Sequence, residues 1–212
     1  MNKIPDEYEI LERKTPFQGY FRIDKYKLRH RCFAGGWTEP FYREVFERGH
    51  AAAVLPYDPD RDEVVLQEQF RIGALEAPGS SWLLEIVAGI IDAGESAEDV
   101  ARREAVEEAG LELLELHYIL DYLASPGGTS ERVSLYVGRV DSANAGGIFG
   151  LAAEAEDIRL RVLPFEQAMA ELSSRPINPA SIVIALQWLA LNRDSLRQRW
   201  SGAPAPEEAN AP

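Results

Sequence analysis

The sequence predicts an α/β layered domain from about His50 onward, preceded by a small β region. Three observations carry this. Short β-prone runs alternate with a few helical stretches between His50 and Leu191, a pattern of layered α/β domains. Phe17 to Trp37 is aromatic and β-prone in loose alternation, and Phe41–Phe46 follows as a further strand. Between Gly89 and Leu111 lies an acidic segment, GIIDAGESAEDVARREAVEEAGL, whose spacing is helical from Ser96.

Residues 1–16 are mixed and charged, and no element is assigned to them. Phe17 to Trp37 reads as half-buried strands, with Tyr20, Phe21, Ile23, Tyr26 and Leu28 in loose alternation, and Gly35-Gly36 marks a turn. Phe41–Phe46 is a further strand. His50–Tyr57 and Val64–Phe70 flank the turn Pro59-Asp60-Arg61-Asp62 and read as a hairpin. Trp82–Ala88 is a strand leading to Gly89. The helix then opens with Ser96 as N-cap and Asp99 closing a capping box, and it stops at Gly110. Leu116–Ala124 and Val133–Val140 are strands around the loop SPGGTSE (Ser125–Glu131). Ser142–Glu156 reads as a loop, Ile158–Leu163 as a strand, and Phe165–Leu172 and Ala180–Leu191 as amphipathic helices. Domain boundaries follow: 1–49 an N-terminal β region, 50–201 the main domain, and 202–212 a Pro- and Ala-rich tail expected to be disordered. A β region with so little core of its own is expected to pack on a second copy of the chain.

The net charge of −13 argues against a nucleic-acid partner, whose electrostatic footprint needs a basic protein. It leaves room for a nucleotide substrate, because a bound metal inverts the local field. A single cysteine, Cys32, excludes an intrachain disulfide. With no signal peptide and no run long enough to span a membrane, the expected location is the cytoplasm.

At about 100° per residue, Glu104 and Glu108 stack one turn apart on the helix, in the arc that holds Ala97 and Ala101. Val100 and Ala105 lie at its edges. A solvated acidic face is the alternative reading, and two carboxylates on an alanine stripe weigh against it. Burying them unpaired costs several kcal/mol, and a hydrated Mg2+ offsets that cost while taking carboxylate, carbonyl and phosphate oxygens together. Three histidines and one cysteine supply a zinc site poorly. Arg103, one turn before Glu107, is expected to pair with it and orient the helix. Gly89 permits close approach to the backbone where the preceding strand ends.

Written as Gly89, five residues, Glu95, seven residues, then Arg103-Glu104-Ala105-Val106-Glu107-Glu108-Ala109-Gly110-Leu111, the segment resembles the Nudix box. The strand WLLEIVAG, the loop SPGGTSE, the loop AEAEDIR, and Pro126 fifteen residues after Leu111 are similar to the bacterial ADP-ribose pyrophosphatases of that family. The resemblance extends from about Tyr20 to Trp200. It implies a Nudix-type α/β/α sandwich with a mixed sheet, an N-terminal antiparallel β region used for dimerisation, and a homodimer with strand exchange. The implied reaction is Mg2+-dependent hydrolysis of ADP-ribose to AMP and ribose 5-phosphate. Two or three ions are implied per site, with Mn2+ as an alternative. Other readings are a pyrophosphatase for GDP-mannose or another nucleotide sugar, one for a dinucleotide, or a non-catalytic nucleotide sensor.

The roles implied by resemblance are as follows. Glu104, Glu108 and the carbonyl of Ala88 bind metal, joined by Glu156 when substrate is present, and Glu154 is the general base. Gly89, Arg103 and Glu107 shape the box. Ser125, Pro126, Gly127, Glu131 and the backbone at Ile90 line the pocket, and Arg71 contacts the diphosphate or base. Tyr20, Phe21, Arg43, Glu44 and Arg48 reach the nucleotide, with Tyr20 suited to stack on adenine through its ring face.

Overall fold

A computed structural model describes residues 4–151 and 155–200. The chain divides into two compact units, residues 1–50 with 123–133, and residues 51–122 with 134–212. The tail assigned to 202–212 lies outside the described residues.

The first unit is a three-stranded antiparallel sheet, β1 (Tyr8–Gln18), β2 (Arg22–His30) and β3 (Phe41–Glu47), in that spatial order. The charged N-terminal stretch, to which the sequence assigns nothing, is therefore largely strand. It escapes notice because no residue of β1 is buried and the alternation of a half-buried strand is missing. Ladder bonds to β2 hold it, with irregularities between Ile10 and Glu12 and between Lys14 and Phe17. Asp24 is the one buried residue among the described positions up to 50. It is held by Arg13 at 2.6 Å, Thr15 at 2.6 Å and Arg22 at 3.1 Å, and those donors hold its carboxyl below the usual range. The SPGGTSE loop joins this unit. Phe46 N–H donates to the Gly128 carbonyl at 2.8 Å, Thr129 Oγ1 donates to the Phe46 carbonyl at 2.9 Å, and the Ser130 hydroxyl bonds Glu47.

In the second unit the strands β4 (Ala51–Asp58), β5 (Glu63–Phe70), β6 (Trp82–Glu85), β7 (Val87–Ile90), β8 (Glu115–Leu123), β9 (Arg132–Arg139), β10 (Gly147–Phe149) and β11 (Ile158–Pro164) form an eight-stranded mixed sheet. Its path runs β10-β11-β5-β4-β9-β8. The expected hairpin of β4 and β5 is present but short, since the two pair only at Tyr57–Val64 and Asp58–Glu63. Beyond that they part. β6 fills the wedge against Gln67–Phe70, and β7 fills it against Ala51–Val54. The single strand expected over Trp82–Ala88 is thus two strands, broken at the buried Ile86 where the chain crosses from one partner to the other. The loop expected over Ser142–Glu156 contains β10, three residues that Gly146 and Gly150 flank and so hide from a strand reading.

Helix α1 (Ala97–Ala109) starts and stops as its sequence dictates. Ser96 Oγ accepts from Asp99 N–H at 3.2 Å, and the Ser96 N–H donates to Asp99 Oδ2 at 3.4 Å, closing the capping box. Gly110 adopts φ 61°, where a glycine is favoured, and its N–H and that of Leu111 return to the Val106 and Ala105 carbonyls. The alanine stripe is buried: Val100, Ala101, Ala105 and Ala109 pack with Ala52 and Val54 of β4 and Val65 of β5. The alternate β4 residues point to the other face, where Tyr57 meets Trp200 of helix α3 (Ala180–Trp200) with ring centroids 6.4 Å apart. Helix α2 (Phe165–Ser174) precedes it. α3 runs nine residues past the expected Leu191, because Leu196 and Trp200 remain buried after the sequence turns polar.

Candidate active site

Glu104 and Glu108 come together over β7, with the space between helix and strand set by Gly89. A Cβ on Gly89 would lie 1.8 Å from Glu104 Oε1 and 2.5 Å from its Cγ, so only glycine fits beside this carboxylate as it stands. Glu108 is 4% exposed. Its Oε2 accepts from the Ala88 N–H and from Gln67 Nε2, both at 3.1 Å. Burial pushes the Glu108 carboxyl up to about 7 against those two hydrogen bonds, and the charges of Glu104 and Glu156 push it the same way. Burial also raises Glu104, with Arg103 opposing and Glu107 and Glu156 adding. Three acids therefore share one field.

Arg103 ties the segment together. Its Nε and Nη2 reach the two oxygens of Glu95 at 3.1 Å each, and its Nη1 reaches Glu104 at 2.7 Å and Glu107 at 3.2 Å. The expected pair with Glu107 is there, but the fork-to-fork contact is with Glu95. That contact anchors the loop before α1 and holds the Glu95 carboxyl below the usual range.

Glu156 receives Gln69 Nε2 at 3.4 Å and the Leu151 N–H at 3.3 Å. Glu154 lies outside the described residues. Arg71 donates twice to Glu85 Oε2, from Nε at 3.0 Å and Nη2 at 2.8 Å, and feels the charges of Glu108 and Glu156. Ile90 ends β7 opposite Ala51.

The remaining candidates belong to the first unit. Tyr20 is 88% exposed and meets Phe21 edge-on, centroids 4.7 Å apart. The Arg48 guanidinium lies 5.5 Å from the Phe21 ring centre and 3.4 Å from Glu131. Arg43 Nη1 donates to the Tyr42 carbonyl at 2.8 Å, and Glu44 pairs with Lys25 at 3.2 Å. The Ser125 carbonyl accepts from Gly128 and Thr129 N–H at 3.0 Å each, shaping a turn whose Pro126 and Gly127 are exposed. Phe21, Arg48 and Glu131 thus form one group, with Tyr20 beside it.

Sequence reasoning passed over Gln67, Gln69 and Glu85. The signal is visible in VVLQEQF for the two glutamines and in WLLEIVA for Glu85: polar residues on a strand among apolar neighbours, at positions where burial needs a partner.

Among the described residues, no group of three or more His, Cys, Asp and Glu side chains is arranged to hold a metal ion. Mg2+ does not require one, since it binds through one or two carboxylates and keeps several waters. Glu104 and the buried Glu108 meet that need. Ala88 adds to it, because a strand residue's N–H and C=O leave by the same edge, and the Ala88 N–H already points at Glu108. The donor set fits a hard divalent cation.

A family model described as NUDIX domain matches residues 47–182, and the chain belongs to the Nudix family of hydrolases. It is 53% identical to the ADP-ribose pyrophosphatase of Escherichia coli strain K12 over 196 residues, 92% of this chain and 94% of that one. Identity to the ADP-ribose pyrophosphatase of Haemophilus influenzae is 45%, covering 92% and 91% of the two chains. A GDP-mannose pyrophosphatase of Enterobacter sp. strain 638 is 34% identical over 87% of this chain and 95% of that one. A solved structure described as an ADP compounds hydrolase superposes with a TM-score of 0.65 at 20% identity, covering 90% of this chain and 98% of that one, and it shares the fold.

Proposed function

We propose that this chain hydrolyses the diphosphate of ADP-ribose to AMP and ribose 5-phosphate with Mg2+ as cofactor. The chemistry rests on Glu104 and Glu108, two carboxylates packed against Ala88-Gly89, with burial and the neighbouring acids raising the Glu108 carboxyl. The substrate is supported by the higher identity to ADP-ribose pyrophosphatases than to GDP-mannose pyrophosphatases. When bound, the two or three ions of this reading neutralise charge on the diphosphate oxygens and lower the pKa of a bound water. Glu104, Glu108 and the Ala88 carbonyl hold metal, with Glu156 joining in the presence of substrate. Glu154 takes the proton of the attacking water. Arg71, steadied by Glu85, binds the diphosphate, with the N–H at Ile90 beside it; in the first unit, the Ser125–Gly127 turn is a further substrate contact. Tyr20 and Phe21 offer ring faces to adenine, while Arg43, Glu44, Arg48 and Glu131 supply its polar contacts.

The first unit is the expected dimerisation element, with strands exchanged between two copies. Tyr8, Ile10, Leu11 and Phe17 are about half exposed or more on its sheet, which supports a partner for it.

A substrate panel with Mg2+ and product identification tests the reading. AMP and ribose 5-phosphate are expected from ADP-ribose in preference to cleavage of GDP-mannose, and thorough chelation is expected to abolish turnover. Activity that survives chelation defeats the metal chemistry, and a preference for GDP-mannose defeats the substrate assignment.

A further inference from the structure

Gln67 and Gln69 stand on the α1-facing side of β5, in line with the buried Val65. They are 0% and 5% exposed. Each does the same thing. Gln67 Nε2 donates to Glu108, and Gln69 Nε2 donates to Glu156. The amide orientation is the one that the ionised, metal-binding carboxylates require, because an ionised carboxylate only accepts. Each then leaves its Oε1 buried with no hydrogen-bond partner among the described residues. A buried amide oxygen without a donor costs stability and calls for a cause. Two of them, two residues apart, each one amide away from a carboxylate of the site, point to a common cause.

We propose that Gln67 and Gln69 are positioning residues of the metal site: each amide N–H fixes one carboxylate, and each amide oxygen accepts a hydrogen bond from metal-bound water. The inference rests on the metal reading above and extends it to residues that touch the ligands rather than the ion. Mg2+ retains several waters, and those waters need acceptors beside a core in which Val65, Val87 and the alanines of α1 offer none from their side chains. With Ala88 N–H and Gln67 Nε2 both on Glu108 Oε2, the other oxygen of that carboxylate stays available for the ion. Outer-shell partners of this kind tune metal affinity by about 10–100-fold.

The test is Mn2+ binding to the full chain without substrate, read from the loss of the free-ion paramagnetic signal, with thermal melts in the presence and absence of Mn2+. Gln67→Met and Gln69→Met keep the volume and remove the orphaned oxygen. Both are expected to fold and to melt close to wild type without metal. Each is expected to bind Mn2+ about 10-fold or more weakly, with a smaller Mn2+-induced rise in Tm. Should a Met variant fail to fold, Gln67→Asn, which withdraws the amide by one methylene, is expected to show the same loss. Folded variants with wild-type Mn2+ affinity overturn the inference. Glu108→Gln separates the two layers of the argument. If wild type binds Mn2+ and Glu108→Gln does not, the metal reading stands and the glutamine result decides the inference. If Glu108→Gln binds as wild type does, the metal reading falls and the inference with it.

Discussion

Replacing Gly89 by alanine places one methyl group where Glu104 now sits. The added Cβ would meet Glu104 Oε1 at 1.8 Å, Cδ at 2.2 Å and Cγ at 2.5 Å. The backbone at Gly89 is not in the left-handed region, so alanine adopts it without strain and the whole effect is one of space. The carboxylate of Glu104 must swing off β7, breaking its 2.7 Å contact with Arg103. Overpacking ordinarily costs about 1–3 kcal/mol. Here a flexible side chain yields, so the cost is about 1 kcal/mol, a fall in Tm of about 2–4 °C for a chain of this size. The catalytic cost is far larger. A displacement of about 1 Å at a reacting centre is worth about 100-fold in rate, and the methyl enforces at least that. Initial rates on ADP-ribose with Mg2+, paired with thermal melts, separate the two effects. The double variant with Glu104→Ala sharpens them, since the three atoms nearest the methyl go with the Glu104 side chain and its own stability cost should shrink. A Gly89→Ala enzyme that keeps a third or more of wild-type kcat would refute the reasoning.

Three further outcomes are expected. The Glu108 carboxyl, raised by burial to about 7 in the fold from an ordinary 4.5, binds its proton more tightly folded than unfolded. Its stabilising contribution is complete below pH 4.5 and is lost as pH rises through 7, so metal-free protein should melt lower at pH 8 than at pH 6, and Glu108→Gln should flatten that decline while abolishing turnover. Arg103→Lys loses the fork onto Glu95 and should reduce kcat about 10-fold with little change in Tm, since exposed ion pairs contribute under about 1 kcal/mol; an unchanged kcat would show that the fork does not orient the site. His117, lowered by burial and by Arg199 beside it at 2.8 Å, is favoured neutral in the fold. Stability should fall as pH drops below 6.5, and a His117→Asn variant whose melts track wild type from pH 5 to 7.5 would remove His117 as the cause.

Helix α1 was legible almost atom by atom, because capping, period and stop signal are local chemistry: Ser96, Asp99 and Gly110 do what their side chains or lack of one dictate. The stacked Glu104 and Glu108 were equally legible, since a 100° turn needs no tertiary information. What escaped was non-local. That β4 and β5 part after two pairs depends on where β6 and β7 dock, and VVLQEQF looks the same either way. β1 was missed because its residues are exposed, and its strand character comes from β2. The helix wheel presents Arg103 to Glu107 but hides the loop that brings Glu95 to its other edge.

The parting of β4 and β5 has a mechanical meaning. Gln67, Gln69 and the strand leading from Glu156 belong to one half of the split sheet, and Ala88-Gly89 belongs to the other. Near the site the halves are joined not by a ladder but by the chain itself, turning at Ile86 from β6 on β5 to β7 on β4. A covalent link does not melt as a ladder does, so the spacing of the two walls is held by the turn at Ile86, by the short ladder at Tyr57–Val64 and by helix α1 packed across both. Amide exchange at that ladder therefore reports on the aperture of the site from one end of the sheet.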